Sequence, residues 1–215
     1  FSRLSNNSLV LKLVMALTGV AIFAWLVLHV SGNMSVFLGA EKMNHYAMFL
    51  HEAPALLWGQ RLGLGILVVL HVWSSLKLTL RNRAARPAGY QKTHSVAATF
   101  AAKSMRVTAL FLLVFLVYHL LHMTLLTVHP DPIPGDAFHN LTVGLAVPQV
   151  AAFYVVAMLC LLVHLRHGLW SFFQTLGWSH PKYNRWRKAF ALVASAGIAI
   201  GFIIIPVAIA SGFIQ

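Results

Sequence analysis

The sequence predicts an all-α integral membrane protein, a bundle of five transmembrane helices forming a single domain over residues 1–215. Two compositional observations point there first: 59% of the 215 residues are hydrophobic with only 9% charged, and the mean hydropathy is +0.77. A soluble domain carries about 25% charged residues. The third observation is that five separate apolar stretches each reach the roughly 20 residues a helix needs to cross the hydrocarbon core.

Taken in order, these stretches are about 13–36, 57–80, 105–128, 147–171 and 189–213. Each must satisfy its own peptide groups in lipid, so helix is the expected state. Turn chemistry separates them, in Arg86-Pro87-Ala88-Gly89 and in the cluster Pro130, Pro132, Pro134 and Gly135. In the last stretch Gly197 and Gly201 form a small-residue pair that lets a neighbouring helix approach, and Pro206 is expected to kink it. The first stretch is too long, and lacks the small-residue pattern, for a cleavable signal peptide. The sequence opens at Phe1 without an initiator Met, so further residues are expected before it. The single cysteine, Cys160, excludes a disulfide framework or a cysteine-ligated metal within this chain and reads as a packing residue.

Sixteen Lys and Arg face four acids, a balance that in a soluble protein would raise nucleic acid as a partner. Here the basic residues lie between apolar stretches, so they read as loop charge and exclude a nucleic-acid face. Arg3 and Lys12, then Lys77, Arg81, Arg83, Arg86, Lys92, Lys103 and Arg106, then Arg166, Lys182, Arg185, Arg187 and Lys188 fall on one side of the membrane. The other side has Lys42, Arg61 and all four acids, Glu41, Glu52, Asp131 and Asp136. The positive-inside rule therefore puts the amino terminus in the cytoplasm and the carboxyl terminus outside.

Twelve histidines remain to be explained, and the first four apolar stretches each carry one at depth: His29, His71, His119 and His164. An ionisable side chain at lipid depth is costly and marks function by default. At 1.5 Å of rise per residue, His29 lies roughly 24 Å and His119 roughly 18 Å from the cytoplasmic boundary, whereas His71 lies about 9 Å and His164 about 3 Å from it. Two pairs at two depths, each from two different helices, suit two bis-histidine haem b groups stacked about 15 Å apart across the membrane. A proton relay is the rival use of such histidines, but it calls for buried carboxylates and none of the four acids lies mid-span. The separations His29 to His71, 42 residues, and His119 to His164, 45 residues, hint at an internal repeat of two hairpins. His122 and His167 each follow a proposed ligand by three residues, one turn nearer the membrane surface. They are expected to meet haem propionates or to hydrogen-bond nearby, with ligation in place of their neighbours as the alternative. His45, His51, His94, His129, His139 and His180 fall in connections, where a solvated histidine is expected.

With these residues in view, the chain resembles the five-helix, two-haem cytochrome b subunit of succinate:quinone oxidoreductases, the group of succinate dehydrogenases and quinol:fumarate reductases. The most specific stretch runs from Phe153-Tyr154-Val155-Val156 through Leu162-Val163-His164 to His167-Gly168-Leu169-Trp170-Ser171-Phe172 and Gly177-Trp178. The resemblance implies that His71 with His164 holds the haem nearer the cytoplasm and His29 with His119 the outer one, the same pairs that depth gives. It further implies a flavoprotein subunit with FAD and an iron–sulfur subunit docked on the cytoplasmic side, a membrane quinone such as menaquinone as redox partner, and residence in a bacterial or archaeal inner membrane. This chain would then serve the enzyme as its electron-transfer and quinone-reactive subunit, with no dicarboxylate site of its own. Some members use a glutamate near the outer start of the second helix in quinol oxidation, and Glu52 aligns with it loosely as a candidate proton acceptor. His51, His45, Trp58 and the Asn33–Ser35 segment are neighbouring candidates for the quinone site. The alternatives are the haem b anchor of a hydrogenase or formate dehydrogenase, or a haem-free proton-coupled transporter.

Overall fold

The computed structural model describes residues 7–85 and 100–214. Arg3, the turn at Arg86-Pro87-Ala88-Gly89, Lys92 and His94 lie outside them. The described residues are helical with no strand. In chain order the α-helices are α1 (Ser8–Asn33), α2 (Ala40–Glu52), α3 (Pro54–Ala84), α4 (Phe100–His119), α5 (Ala137–Ala146), α6 (Pro148–Thr175) and α7 (Asn184–Ala210). Five segments are long and apolar enough to cross a membrane: Ser8–Leu38, Pro54–Ala84, Ala102–Thr124, Pro148–Thr175 and Pro181–Ala210. The shortest has 23 residues, or about 34 Å of helix against a hydrocarbon core of about 30 Å. The chain thus has the architecture of a multi-pass membrane protein.

Local chemistry sets the ends. The Asn7 side chain accepts from the Leu9 N–H, 2.9 Å, and starts α1. Prolines at the first turns of α3 and α6, Pro54 and Pro148, stand where their missing N–H is not needed. A 3₁₀ segment, Met34–Leu38, prolongs α1 until Gly39, whose φ of 92° turns the chain into α2. A π-helical turn, Leu120–Thr124, prolongs α4, and Leu126 follows it in the left-handed region at φ 57°.

The short helices α2 and α5 occupy connections that hydropathy reads as turns. Both are too short to span, 13 and 10 residues, and α2 is also polar, so neither makes an apolar run of spanning length. They pack on each other through Asn44. Its amide donates to Asp136 Oδ1, 2.9 Å, and its carbonyl oxygen accepts from the Phe138 N–H, 2.9 Å.

Helices α1 and α3 form one packed pair and α4 and α6 another; α1 also packs on α6, and α7 covers α6 and α1. The buried core therefore gathers on α6 and α7, with Tyr154, Ala157, Met158, Leu161 and Leu165 meeting Ile198, Ile205 and Ile209. By contrast α3 buries only Ser74 and Leu78, and its Leu62, Ile66 and Val69 are exposed, as befits a surface in contact with lipid. Gly201 is a close approach: a Cβ there would lie 2.7 Å from Val30 Cγ2, so α7 meets α1 at that point. Gly197 does not share the role, since a Cβ there meets nothing within 4 Å. Helix α7 runs on through the buried Pro206 to Ala210.

Candidate functional site

Four histidine rings converge in two pairs. The rings of His29 on α1 and His119 on α4 have centroids 5.9 Å apart with planes at 78°, and those of His71 on α3 and His164 on α6 are 6.5 Å apart at 66°. Neither α1 with α4 nor α3 with α6 is a packed pair of helices. The paired rings therefore reach toward each other from helices whose backbones are not in close contact. Two imidazoles on opposite sides of one metal, with metal–nitrogen bonds of about 2 Å, would have ring centroids about 6 Å apart. Among the described residues no group of three or more His, Cys, Asp and Glu side chains could hold a bare ion.

The nitrogens are sorted accordingly. His71 Nδ1 lies 3.1 Å from the Met15 carbonyl and 3.1 Å from Thr18 Oγ1. Thr18 gives its own proton to the Val14 carbonyl, 2.6 Å, so its oxygen can accept from His71. His164 Nδ1 lies 3.5 Å from Thr108 Oγ1, which donates in turn to the Ser104 and Met105 carbonyls, each 3.1 Å. His119 Nδ1 lies 3.2 Å from the Tyr154 hydroxyl. In His71 and His164 the Nδ1 proton has an acceptor and Nε2 is free of a hydrogen bond among the described residues, and the Tyr154 hydroxyl can accept from His119 Nδ1 in the same way, the arrangement usual for metal-bound histidine. His29 differs, its Nε2 lying 3.4 Å from Asn33 Nδ2 and its ring stacking on Trp25 at 4.6 Å.

The two pairs belong to a repeat that hairpin spacing alone barely reveals. Displaced by 90 residues, α1 falls on α4 with Met15 on Met105, Thr18 on Thr108, Leu26 on Leu116, Val27 on Val117 and His29 on His119. Trp25, which stacks on His29, falls on Phe115, which stacks on His119 at 5.7 Å. Between α1 and α4 the offset thus matches the histidine, the threonine that meets the hairpin partner's histidine, and the aromatic ring stacked on the histidine.

Around His119 lies a buried polar cluster. The Tyr154 hydroxyl also lies 3.0 Å from Nδ1 of His122, which is fully buried and stacks on His129 at 5.2 Å. His129 Nδ1 accepts from the Asp131 N–H, 3.1 Å, so its Nε2 carries the proton and donates to the Asn140 carbonyl, 2.8 Å. If His119 presents Nε2 to a metal, its proton sits on Nδ1; Tyr154 then accepts from His119 and donates to His122, which is left protonated at Nε2. That Nε2 is buried without a partner among the described residues. The expectation that His129 is solvated is corrected: it is only 8% exposed, because the loop after the π-turn folds it under α5 against Gly144. Tyr154, Thr18 and Thr108 touch the paired histidines but carry no charge at neutral pH, so charge at lipid depth does not single them out; the 90-residue offset picks out the threonines.

Apart from Asn33, the other candidates among the described residues make no hydrogen bond to the four paired histidines. His167 is half-buried one turn beyond His164 on α6, with no hydrogen bond among the described residues. Glu52 ends α2 exposed, with no hydrogen bond to any of the four paired histidines. Beside it, His51 Nδ1 lies 2.9 Å from the Ala47 carbonyl, His45 is exposed, and Trp58 carries the Arg61 guanidinium over its ring at 5.4 Å. Ser35 donates to the Gly32 carbonyl, 2.7 Å. His139, also read as solvated, pairs with Asp131 at 3.1 Å. The Asp136 carboxyl is held below the usual carboxylate range, first by the His139 backbone N–H and then by the Asn44 amide. No protein family, curated protein or solved structure matches this chain.

Proposed function

We propose that this chain is the membrane anchor and di-haem cytochrome b subunit of a succinate:quinone oxidoreductase, carrying electrons between a cytoplasmic iron–sulfur subunit and a membrane quinone such as menaquinone. The observation that carries this reading is the convergence of four histidines from four helices into two pairs with centroids 5.9 and 6.5 Å apart, between helices that do not pack on each other. Haem, if bound, would supply one-electron exchange at its iron, with imidazoles of this chain as its protein ligands. The chain's residues supply the rest. His29 and His119 would hold the outer haem, His71 and His164 the inner one. Met15, Thr18, Thr108 and Tyr154 orient the rings so that Nε2 faces the metal. Phe202 on α7 packs against His29 and Phe115 on α4 against His119, which lines the outer pair with apolar rings.

The excess of Lys and Arg at the ends of α1, α3, α4, α6 and α7 supports a cytoplasmic amino terminus and a basic docking face for the iron–sulfur and flavoprotein subunits, and attracts anionic lipid. On the opposite side Glu52 is exposed and has no hydrogen-bond partner among the described residues, which suits a carboxylate that accepts a quinol proton and passes it outward.

The test is to purify the protein from its native membrane with whatever accompanies it. The expected result is a reduced-minus-oxidised haem b spectrum, a flavoprotein and an iron–sulfur protein in the complex, and haem reduction by succinate or haem oxidation by fumarate. A nickel or molybdenum partner would move the chain to a hydrogenase or formate dehydrogenase anchor. A spectrum without haem would leave the histidines to proton-coupled transport.

A further inference from the structure

We infer that Thr18 and Thr108 are a matched pair of positioning residues for the inner haem, each holding one of its two histidines by Nδ1, with Thr108 the more critical of the two. This rests on the two-haem reading and goes beyond it by naming what sets the electron donation of the inner ligands. The threonines occupy the same place in the two repeats, 90 residues apart, on the first helix of each hairpin. Each turns its hydroxyl to the histidine on the second helix of its own hairpin, Thr18 to His71 at 3.1 Å and Thr108 to His164 at 3.5 Å. Both are buried and both give their proton to a carbonyl one turn back, Thr18 to Val14 and Thr108 to Ser104 or Met105. Each hydroxyl oxygen is therefore oriented as an acceptor, and the histidine as donor.

Helix packing alone asks for no hydroxyl here. A buried threonine can satisfy its proton on its own helix, and valine has the same shape, so the repeated choice of threonine opposite a histidine is the feature to be explained. An acceptor on Nδ1–H fixes the ring orientation and raises the basicity of the ligating nitrogen. A more basic ligand favours the oxidised, more positive iron. The two sites are not equivalent, however. His71 also reaches the Met15 carbonyl at 3.1 Å, whereas His164 has only Thr108 among the described residues. Gly19 contributes to the difference: a Cβ there would lie 3.1 Å from His71 Cε1, so glycine allows the close approach, and Ala109 stands at the equivalent place beside the longer contact.

The experiment is redox potentiometry and low-temperature EPR of the intact complex carrying Thr108→Val, Thr108→Ser, Thr18→Val or no substitution, the inner-haem signal being the one that survives in His119→Ala. Thr108→Val is expected to raise the inner-haem midpoint potential and alter its low-spin signal with the outer haem unchanged. Thr108→Ser, which keeps the hydroxyl, stays near wild type, and Thr18→Val shifts the same haem by less because the Met15 carbonyl remains. Loss of the inner haem in Thr108→Val with retention in Thr108→Ser supports the inference equally. An inner haem unmoved by Thr108→Val, equal defects in the serine and valine variants, or a larger shift from Thr18→Val would overturn the inference while leaving the two-haem reading intact. A wild-type complex without haem would overturn that reading and this one with it.

Discussion

The Tyr154 hydroxyl lies 3.2 Å from Nδ1 of His119, and the same oxygen lies 3.0 Å from Nδ1 of His122. One phenol thus ties a proposed haem ligand to a buried histidine one turn further along the same chain segment. Tyr154→Phe keeps the ring and removes both bonds, leaving His122 with neither nitrogen satisfied. A cost of about 1–3 kcal/mol is expected from the unmade bonds. The outer-haem potential should also move while the inner haem's stays put. Thermal unfolding and redox titration of the variant measure the two effects; an unchanged outer haem would mean that Tyr154 is only a packing residue.

Gly144 lies beneath this cluster, where a Cβ would come within 2.8 Å of His129 Nε2 and 2.9 Å of His122 Cε1 and Nε2. The two stacked rings are held by hydrogen bonds and have little room to yield. Gly144→Ala should therefore destabilise the protein by about 1–3 kcal/mol, the usual range for overpacking. The shift in unfolding temperature checks this, and a variant as stable as wild type would show that α5 is not seated against the histidines.

Asp136 caps α5, accepting from the His139 N–H at 2.9 Å, and holds α2 through Asn44. Asp136→Ala should cost about 0.5–2 kcal/mol, the range for a lost N-cap. The pH dependence follows from the direction of its shift. The folded carboxyl titrates below its unfolded value of about 3.9, so its contribution is complete above that value and fades as pH falls through the lower folded one. Unfolding measured against pH should show this acid-side loss in wild type and not in Asp136→Asn, which keeps a capping oxygen without the charge.

Most of the bundle is legible in the sequence because lipid imposes one dominant rule, long apolar runs, and the five runs are separated by charge and proline. Helices α2 and α5 escape that rule; their stability comes from packing and from the Asn44–Asp136 contact across 92 residues, which no local window contains. The four paired histidines are legible because rise per residue converts sequence position into depth. His129 is not: proline-rich surroundings read as an exposed loop, and only the fold of that loop beneath α5 buries it. Tyr154 and the threonines carry no charge at lipid depth and so attract no notice until the histidines they touch are known.

Glu52 stands exposed at the carboxyl end of α2, with no hydrogen bond to the paired histidines. As the proposed proton acceptor it should be dispensable for assembly. Glu52→Gln is expected to keep both haems and succinate-to-dye activity while quinone-linked turnover falls strongly. Turnover near wild type would make it a bystander and favour a quinone site on the cytoplasmic side near His71, Lys77 and Arg81.

Haem content per polypeptide tests the central claim most directly. Two haem b groups per chain are expected by the pyridine haemochrome assay, both low-spin, with His119→Ala and His164→Ala each retaining one. One haem or none in the wild-type protein, or both retained in either variant, would contradict it.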